Sequence, residues 1–210
     1  MAKNFSRIWI DNFIADFERE KENLGEMDRI SGDGDFAINL GSALKLCAAA
    51  LAEIKDDAAP AEVFGAVSNS FLHTGGTSGP LLGMWVRDVS KAFSDQSDPV
   101  EALATGFTAG VATVQRIGGA QEGDKTMVDA MLPAAQALRS AASDGRELSE
   151  ALRNAAQAAE DGAKATADVA ASMGRASYVG DVSLGVADPG ATAIGLFFRS
   201  GVAAAEGSEA

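Results

Sequence analysis

One cysteine, Cys47, stands in 210 residues. That excludes an internal disulfide and a thiolate metal cluster, and it fits a reducing compartment. Histidine is equally scarce: His73 is the sole example, and beside a loop it reads as structural. No apolar run approaches the length of a membrane span. The opening residues, Met1-Ala2-Lys3-Asn4-Phe5-Ser6, lack the apolar stretch a secretory leader needs, so a cytoplasmic location is expected. Positive charge is in deficit: 17 Lys and Arg against 30 Asp and Glu leave a net charge of −13. Nucleic acid and anionic membrane surfaces both require a basic face, so neither is an expected partner. A small phosphate ligand stays open, because divalent cations bridge an acidic chain to an acidic ligand.

Strand signals are nearly absent and aromatics make up 6%. What the chain has instead is alanine and helical periodicity. Phe5, Ile8, Trp9, Phe13 and Phe17 predict a first helix over residues 4–23, stopping near Gly25. A second is expected over 37–54. Pro60 opens a third, to about His73, and Pro80 a fourth. Asp98-Pro99 reads as N-cap plus first helical residue of a fifth. A sixth begins near Thr126 and contains Pro133, which should kink it or delay its start. The seventh runs over Leu148–Ser172. The eighth follows Asp188-Pro189-Gly190 and reaches about Ala205, leaving the last residues frayed. The expectation is an all-α, up-and-down antiparallel bundle of about eight helices, one domain over residues 1–210. Trp9, Trp85, Phe197, Phe198 and Cys47 read as core.

Glycine is concentrated in four loops: Gly25–Gly34, Gly75–Gly83, Gly118–Gly123 and Gly174–Gly190. They follow the first, third, fifth and seventh helices. In an up-down bundle, such loops share one end, so all four should meet where a ligand could sit. The alternative, that the glycines only terminate helices, does not explain the enrichment at one end.

The first loop carries Asp28, Asp33 and Asp35, with Gly32 and Gly34 free to fold the carboxylates inward. Converging carboxylates repel by roughly 4 kcal/mol per pair at about 4 Å and an effective dielectric near 20. A hard cation removes that penalty. An EF-hand register fails: counted from Asp28 the third position is Ile30, and counted from Asp33 the fifth is Ala37. Magnesium held by carboxylates plus phosphates fits better, and a solvated acidic turn is the plainer alternative.

Gly75-Gly76-Thr77-Ser78-Gly79-Pro80 precedes an apolar helix and offers N–H groups and hydroxyls to an anion. No Lys follows the glycines as a Walker loop requires, and a simple capped turn is an equal reading. Asp124 could cap the sixth helix or support the metal. Met127 could pack against a flat base or be plain core. In the long last loop, Arg175 is a candidate phosphate clamp or a surface arginine.

Together these loops resemble the L subunit of dihydroxyacetone kinases and the matching C-terminal domain of single-chain ATP-dependent forms. The matching words are Asp28 with Gly32-Asp33-Gly34-Asp35 and Asn39; Gly76-Thr77-Ser78-Gly79-Pro80; Gly123-Asp124-Lys125-Thr126-Met127; Gly174-Arg175-Ala176-Ser177-Tyr178; and Asp188-Pro189-Gly190-Ala191-Thr192. They occur in family order across nearly the whole chain. The resemblance implies an eight-helix antiparallel barrel with ADP or ATP at one end. It implies that Asp28, Asp33 and Asp35 are ligands of two Mg²⁺ ions. Asn39, Thr77, Ser78 and Gly118 would contact the nucleotide, and Met127 its base. Arg175 would contact the nucleotide and stabilise the transferring group, and Asp188, Pro189 and Gly190 would form a further contact.

The family usually has His-Gly after the third aspartate, where this chain has Phe36-Ala37. That change leaves the carboxylates but alters a side chain near the phosphates and restricts the backbone. By resemblance the ketose sits on a separate K subunit, covalently held through a histidine there. No fused phosphocarrier domain is expected beyond the eighth helix. The phosphodonor is either exchangeable ATP or a phosphotransferase-system phosphocarrier protein that rephosphorylates bound ADP. Homodimerisation is compatible with the pattern. A non-catalytic ADP–Mg-binding regulatory module is the alternative function, motivated by Phe36-Ala37. A kinase subunit for another acceptor, such as a fatty acid, is a further one, although the Gly76–Pro80 loop looks more like the ketose-kinase type.

Overall fold

Trp9, Ile10, Phe13, Phe17 and Leu24 recur at helical spacing and are all buried, so the first segment folds with this face inward. A computed structural model describes residues 4–178 and 180–209. Among them lie eight α-helices and no strand: α1 (Phe5–Ser31), α2 (Phe36–Ala52), α3 (Pro60–Leu72), α4 (Ser78–Asp95), α5 (Pro99–Gly118), α6 (Val128–Ser143), α7 (Leu148–Ala165) and α8 (Pro189–Glu209). Each packs on the next in sequence, and α8 returns to pack on α1. The result is a closed up-and-down barrel, with the connections after α1, α3, α5 and α7 at one end. No helix among the described residues is long and apolar enough to cross a membrane.

Local chemistry explains most boundaries. Asn4 accepts a hydrogen bond from Ser6 N at 3.1 Å and starts α1. Asp98 accepts one from Glu101 N at 2.9 Å and starts α5 ahead of Pro99. Pro60 opens α3 as expected. Pro80 falls in the first turn of α4, where its missing N–H costs nothing.

Three helix ends are corrected, and the sixth helix contains its proline as expected. α1 does not stop near Gly25 but continues to Ser31. Gly25 instead lies inside α1 where it meets α2, and a Cβ there would make an ordinary contact of 3.7 Å with the Ala37 Cβ. α6 starts at Val128 and runs through Pro133. The proline withholds the N–H that would bond Asp129 O, and Gly162 of α7 packs directly on that carbonyl. α7 ends at Ala165, followed by a 3-10 turn over Thr166–Asp168. α8 extends to Glu209 instead of ending near Ala205, and Ala210 lies outside the described residues.

The barrel is closed by aromatics. The Trp9 indole N–H donates to Phe197 O at 2.6 Å, tying α1 to α8. Trp9 and Phe197 ring centroids lie 4.8 Å apart, and Trp85 and Phe107 lie 4.7 Å apart across α4 and α5. Gly106 and Gly110 bring the α5 backbone against Val89 and Trp85. Cys47 is buried and its thiol is pushed up to about 12 by burial, so it behaves as a small apolar side chain.

Candidate functional site

Because α1 runs on to Ser31, Asp28 sits in its last turn and is not part of a loop, as the sequence had implied. The carboxylate is buried, and its Oδ2 accepts the backbone N–H of Phe36, the first residue of α2, at 2.8 Å. One side chain therefore fixes how α1 hands over to α2. Gly32 makes this approach feasible: a Cβ there would lie 2.2 Å from Asp28 Oδ1. Asp33 Oδ1 accepts Asp35 N–H at 3.4 Å, while its Oδ2 meets Arg175 Nε at 2.9 Å. Burial raises the Asp28 carboxyl above the usual range; the Phe36 N–H opposes the rise and the charges of Asp33 and Asp35 add to it.

These three aspartates open on one cleft of about 270 Å³. Among the described residues, no three acidic, His or Cys side chains are gathered closely enough to hold an ion as they stand. Asp33 is turned toward Arg175. The donor set nonetheless suits a hard cation: it is all oxygen, and its charges repel one another.

Beside the aspartates, the start of α4 contributes Gly76, Thr77 and Ser78, and α2 contributes Asn39. Gly76 has φ +83° and its absent Cβ would lie 3.0 Å from Asn39 Nδ2, so only glycine closes this turn against the asparagine. The end of α5 adds Gly118, and the next turn adds Thr126 and Met127. That turn is held by Asp129, whose carboxylate accepts from Gly123 N at 2.5 Å and Thr126 N at 2.8 Å. Asp124 does not cap α6 and does not reach the aspartates. It accepts from Gln121 N at 2.7 Å and from Ser172 Oγ at 2.5 Å, clasping the third loop to the fourth.

The fourth loop supplies Arg175, within a 3-10 turn, and the Asp188-Pro189-Gly190 turn that opens α8. Asp188 Oδ1 accepts Ala191 N–H at 2.6 Å. Burial pushes the Asp188 carboxyl up to about 7, with the charges of Asp129 and Asp28 adding and the Ala191 N–H and Lys125 opposing.

All the residues nominated from sequence thus line the same cleft: Asp28, Asp33, Asp35, Asn39, Thr77, Ser78, Gly118, Met127, Arg175, Asp188, Pro189 and Gly190. His73, given no role, caps α3 through Nδ1 and Asn69 O at 2.7 Å. Among the lining residues not nominated from sequence, two stand out. Phe36 forms floor together with Met127 and Gly190, separating the cleft from a small apolar void of about 20 Å³ inside the barrel. Lys125 is 1% exposed; a lysine in a polar, Gly-rich turn carries no sequence signal of burial.

Comparison with known proteins adds the following. The DAK2 domain model matches residues 30–203. The ADP-binding subunit DhaL of PEP-dependent dihydroxyacetone kinase 1 from Listeria innocua is 31% identical over 94% of this chain and 94% of its own length. The corresponding DhaL subunit of Escherichia coli K12 is 33% identical over 91% of this chain and 93% of its own length. Triokinase/FMN cyclase of Rattus norvegicus is 35% identical over 86% of this chain, which spans only 31% of that longer protein. Among solved structures, the dihydroxyacetone kinase of C. freundii in complex with AMP-PNP and Mg²⁺ superposes with a TM-score of 0.72 at 26% identity, covering 97% of this chain and 34% of that one.

Proposed function

The chain belongs to the DAK2 domain family, and from that premise we propose that it is the nucleotide-binding, phosphoryl-transfer subunit of a dihydroxyacetone or related ketose kinase. The observation that carries the proposal is the convergence of four sequence-distant loops on one cleft with carboxylates on one wall and hydroxyls and backbone N–H groups on another. In this reading Asp28, Asp33 and Asp35 hold two Mg²⁺ ions. Asn39, Thr77, Ser78, Gly118 and the Asp188-Pro189-Gly190 turn hold ADP or ATP, and Met127 packs on the base. Magnesium, when bound, offsets the charge of the terminal phosphates.

The pairing of Arg175 with Asp33 at 2.9 Å supports the reading. Each is the other's counter-charge, and a metal at Asp33 with a phosphate at Arg175 would replace both partners together. Freed of Asp33, Arg175 would stabilise the transferring group, since its fork matches phosphate oxygens.

The acceptor would be a ketose on a separate K subunit. The exposed apolar residues Ile30, Ile38, Leu72 and Ile117 all lie at helix ends around the cleft, the composition expected where a protein partner closes over it. The phosphodonor is either ATP in exchange or a phosphocarrier protein acting on retained ADP.

Titration calorimetry of the chain with ADP and ATP in excess Mg²⁺ tests the nucleotide site; no heat with either nucleotide overturns it. Mixing the chain with a K subunit, ketose and each phosphodonor tests transfer. Tight ADP binding without sugar phosphate under either donor would favour a regulatory module, the reading that Phe36-Ala37 supports.

A further inference from the structure

Lys125 is a charged side chain placed where its charge faces no carboxylate at bonding distance. Its ammonium donates to four backbone carbonyls: Thr166 O at 2.7 Å, Val169 O at 3.1 Å, Ser183 O at 2.8 Å and Val186 O at 2.8 Å. An ammonium has three protons, so one of them is shared. Lys125 is also the one non-glycine with positive φ among the described residues, at +60°. Such a backbone is strained for a residue with a side chain and persists where its surroundings over-determine it.

The four carbonyls come from both limbs of one segment. Thr166 and Val169 flank the 3-10 turn that follows α7, where helix-end carbonyls lack partners and the dipole favours a cation. Ser183 and Val186 belong to the returning limb, before α8. Further bonds reinforce the closure from close by: Gly185 N to Ala167 O at 2.8 Å, Asp188 N to Thr166 Oγ1 at 2.8 Å, and Ser172 to Asp124 through both its N–H and its Oγ. Between the limbs the same segment carries Arg175, which reaches across the cleft to Asp33, and it ends on the Asp188-Pro189-Gly190 turn.

We infer that Lys125 is a positioning residue: its ammonium, caged by the four carbonyls, fixes segment 166–188 and thereby sets Arg175 and the Asp188 turn against the ligand. No neutral side chain can satisfy four carbonyls from two limbs, and a carboxylate partner would satisfy the lysine without joining the limbs. The nucleotide in this inference rests on the proposed function; the ordering of the segment does not.

The test compares wild type with Lys125→Met, which keeps the length of the apolar stem. Hydrogen exchange should show lost protection confined to 166–188, with α2 to α5 unchanged, and Mg·ADP affinity should fall at least tenfold. Lys125→Ala should behave alike and regain protection of 166–188 in added n-butylammonium, but not in tetramethylammonium, which cannot donate. Unchanged protection of the segment overturns the inference. So does exposure of all eight helices together without n-butylammonium rescue in Lys125→Ala, which marks a residue needed only for folding. If wild type fails to bind Mg·ADP, the proposed function falls while the exchange comparison still decides the role of Lys125.

Discussion

The two long walls of the cleft treat charge in opposite ways. The α1–α2 wall holds Asp28, Asp33 and Asp35 in mutual repulsion, with Asp28 buried and raised by that burial and by its neighbours. The facing wall, built by the 123–127 turn and segment 166–188, buries its cation on its own backbone and leaves only Arg175 reaching outward. In the proposed reading the first wall calls for an external cation, whereas the second already satisfies its buried lysine. Such a site is preorganised on the side that orients and open on the side proposed to bind metal.

The largest way to break the contrast is to remove a carboxylate from the unsatisfied wall. Asp33→Ala should abolish turnover of the reconstituted kinase, by at least about a hundredfold. Helical circular dichroism should be unchanged and the melting midpoint should stay within a few degrees, because Asp33 is half-exposed and its partners among the described residues are Asp35 N and Arg175. Full activity in a coupled assay would remove these aspartates from the mechanism.

A smaller lesion tests whether Asp28 must sit tightly at the helix junction. Gly32→Ala places a Cβ on Asp28 Oδ1, so the carboxylate must leave Phe36 N or the turn must open. Mg·ADP affinity should fall roughly tenfold, with a stability loss of about 1–3 kcal/mol in urea unfolding. Wild-type affinity would show that the junction tolerates displacement.

The two walls were unequally legible in the sequence. The aspartate wall announces itself, because carboxylates interleaved with glycine have few other uses, and proline-marked helix starts at Pro60 and Pro99 gave the parity that gathers the loops at one end. What stayed hidden was Asp28 on a helix, because Gly25 reads as a stop although α1 runs through it to Ser31. The inner side of the other wall was hidden more deeply. Lys125 gains its role from carbonyls 41 to 61 residues away, and backbone carbonyls have no sequence identity to read.

A pH series sharpens the contrast on the oriented wall. Burial lifts Asp188 from 3.8 to about 7, so the folded chain holds this proton more tightly than the unfolded chain does. Its contribution to stability is therefore full below the unfolded value and is lost as pH rises through about 7. Asp188→Asn keeps an oxygen for Ala191 N–H and removes the charge. The variant should gain about 1–3 kcal/mol over wild type above neutrality, and the gap should close toward acid. Urea midpoints measured in chelator across this range check it; parallel curves for the two proteins would contradict the burial argument.

The smallest expected effect lies at Phe36-Ala37, where His-Gly was expected from the resemblance. The bond from Phe36 to Asp28 uses the backbone N–H, so changing the side chain leaves the junction intact. The phenyl ring instead floors the cleft above the apolar void shared with Leu40, Phe71 and Ile194. Ala37 is buried against α1, and a Cβ at Gly25 would meet its Cβ at 3.7 Å, an ordinary contact. Phe36→His should lose on the order of 1 kcal/mol of packing and lower the melting midpoint by a few degrees. Mg·ADP affinity should remain within about threefold, because the residues proposed to hold metal and phosphate are untouched. A tenfold or larger loss of affinity would mean that the ring itself packs against the nucleotide, making this floor a binding surface and not only a partition between the cleft and the barrel interior.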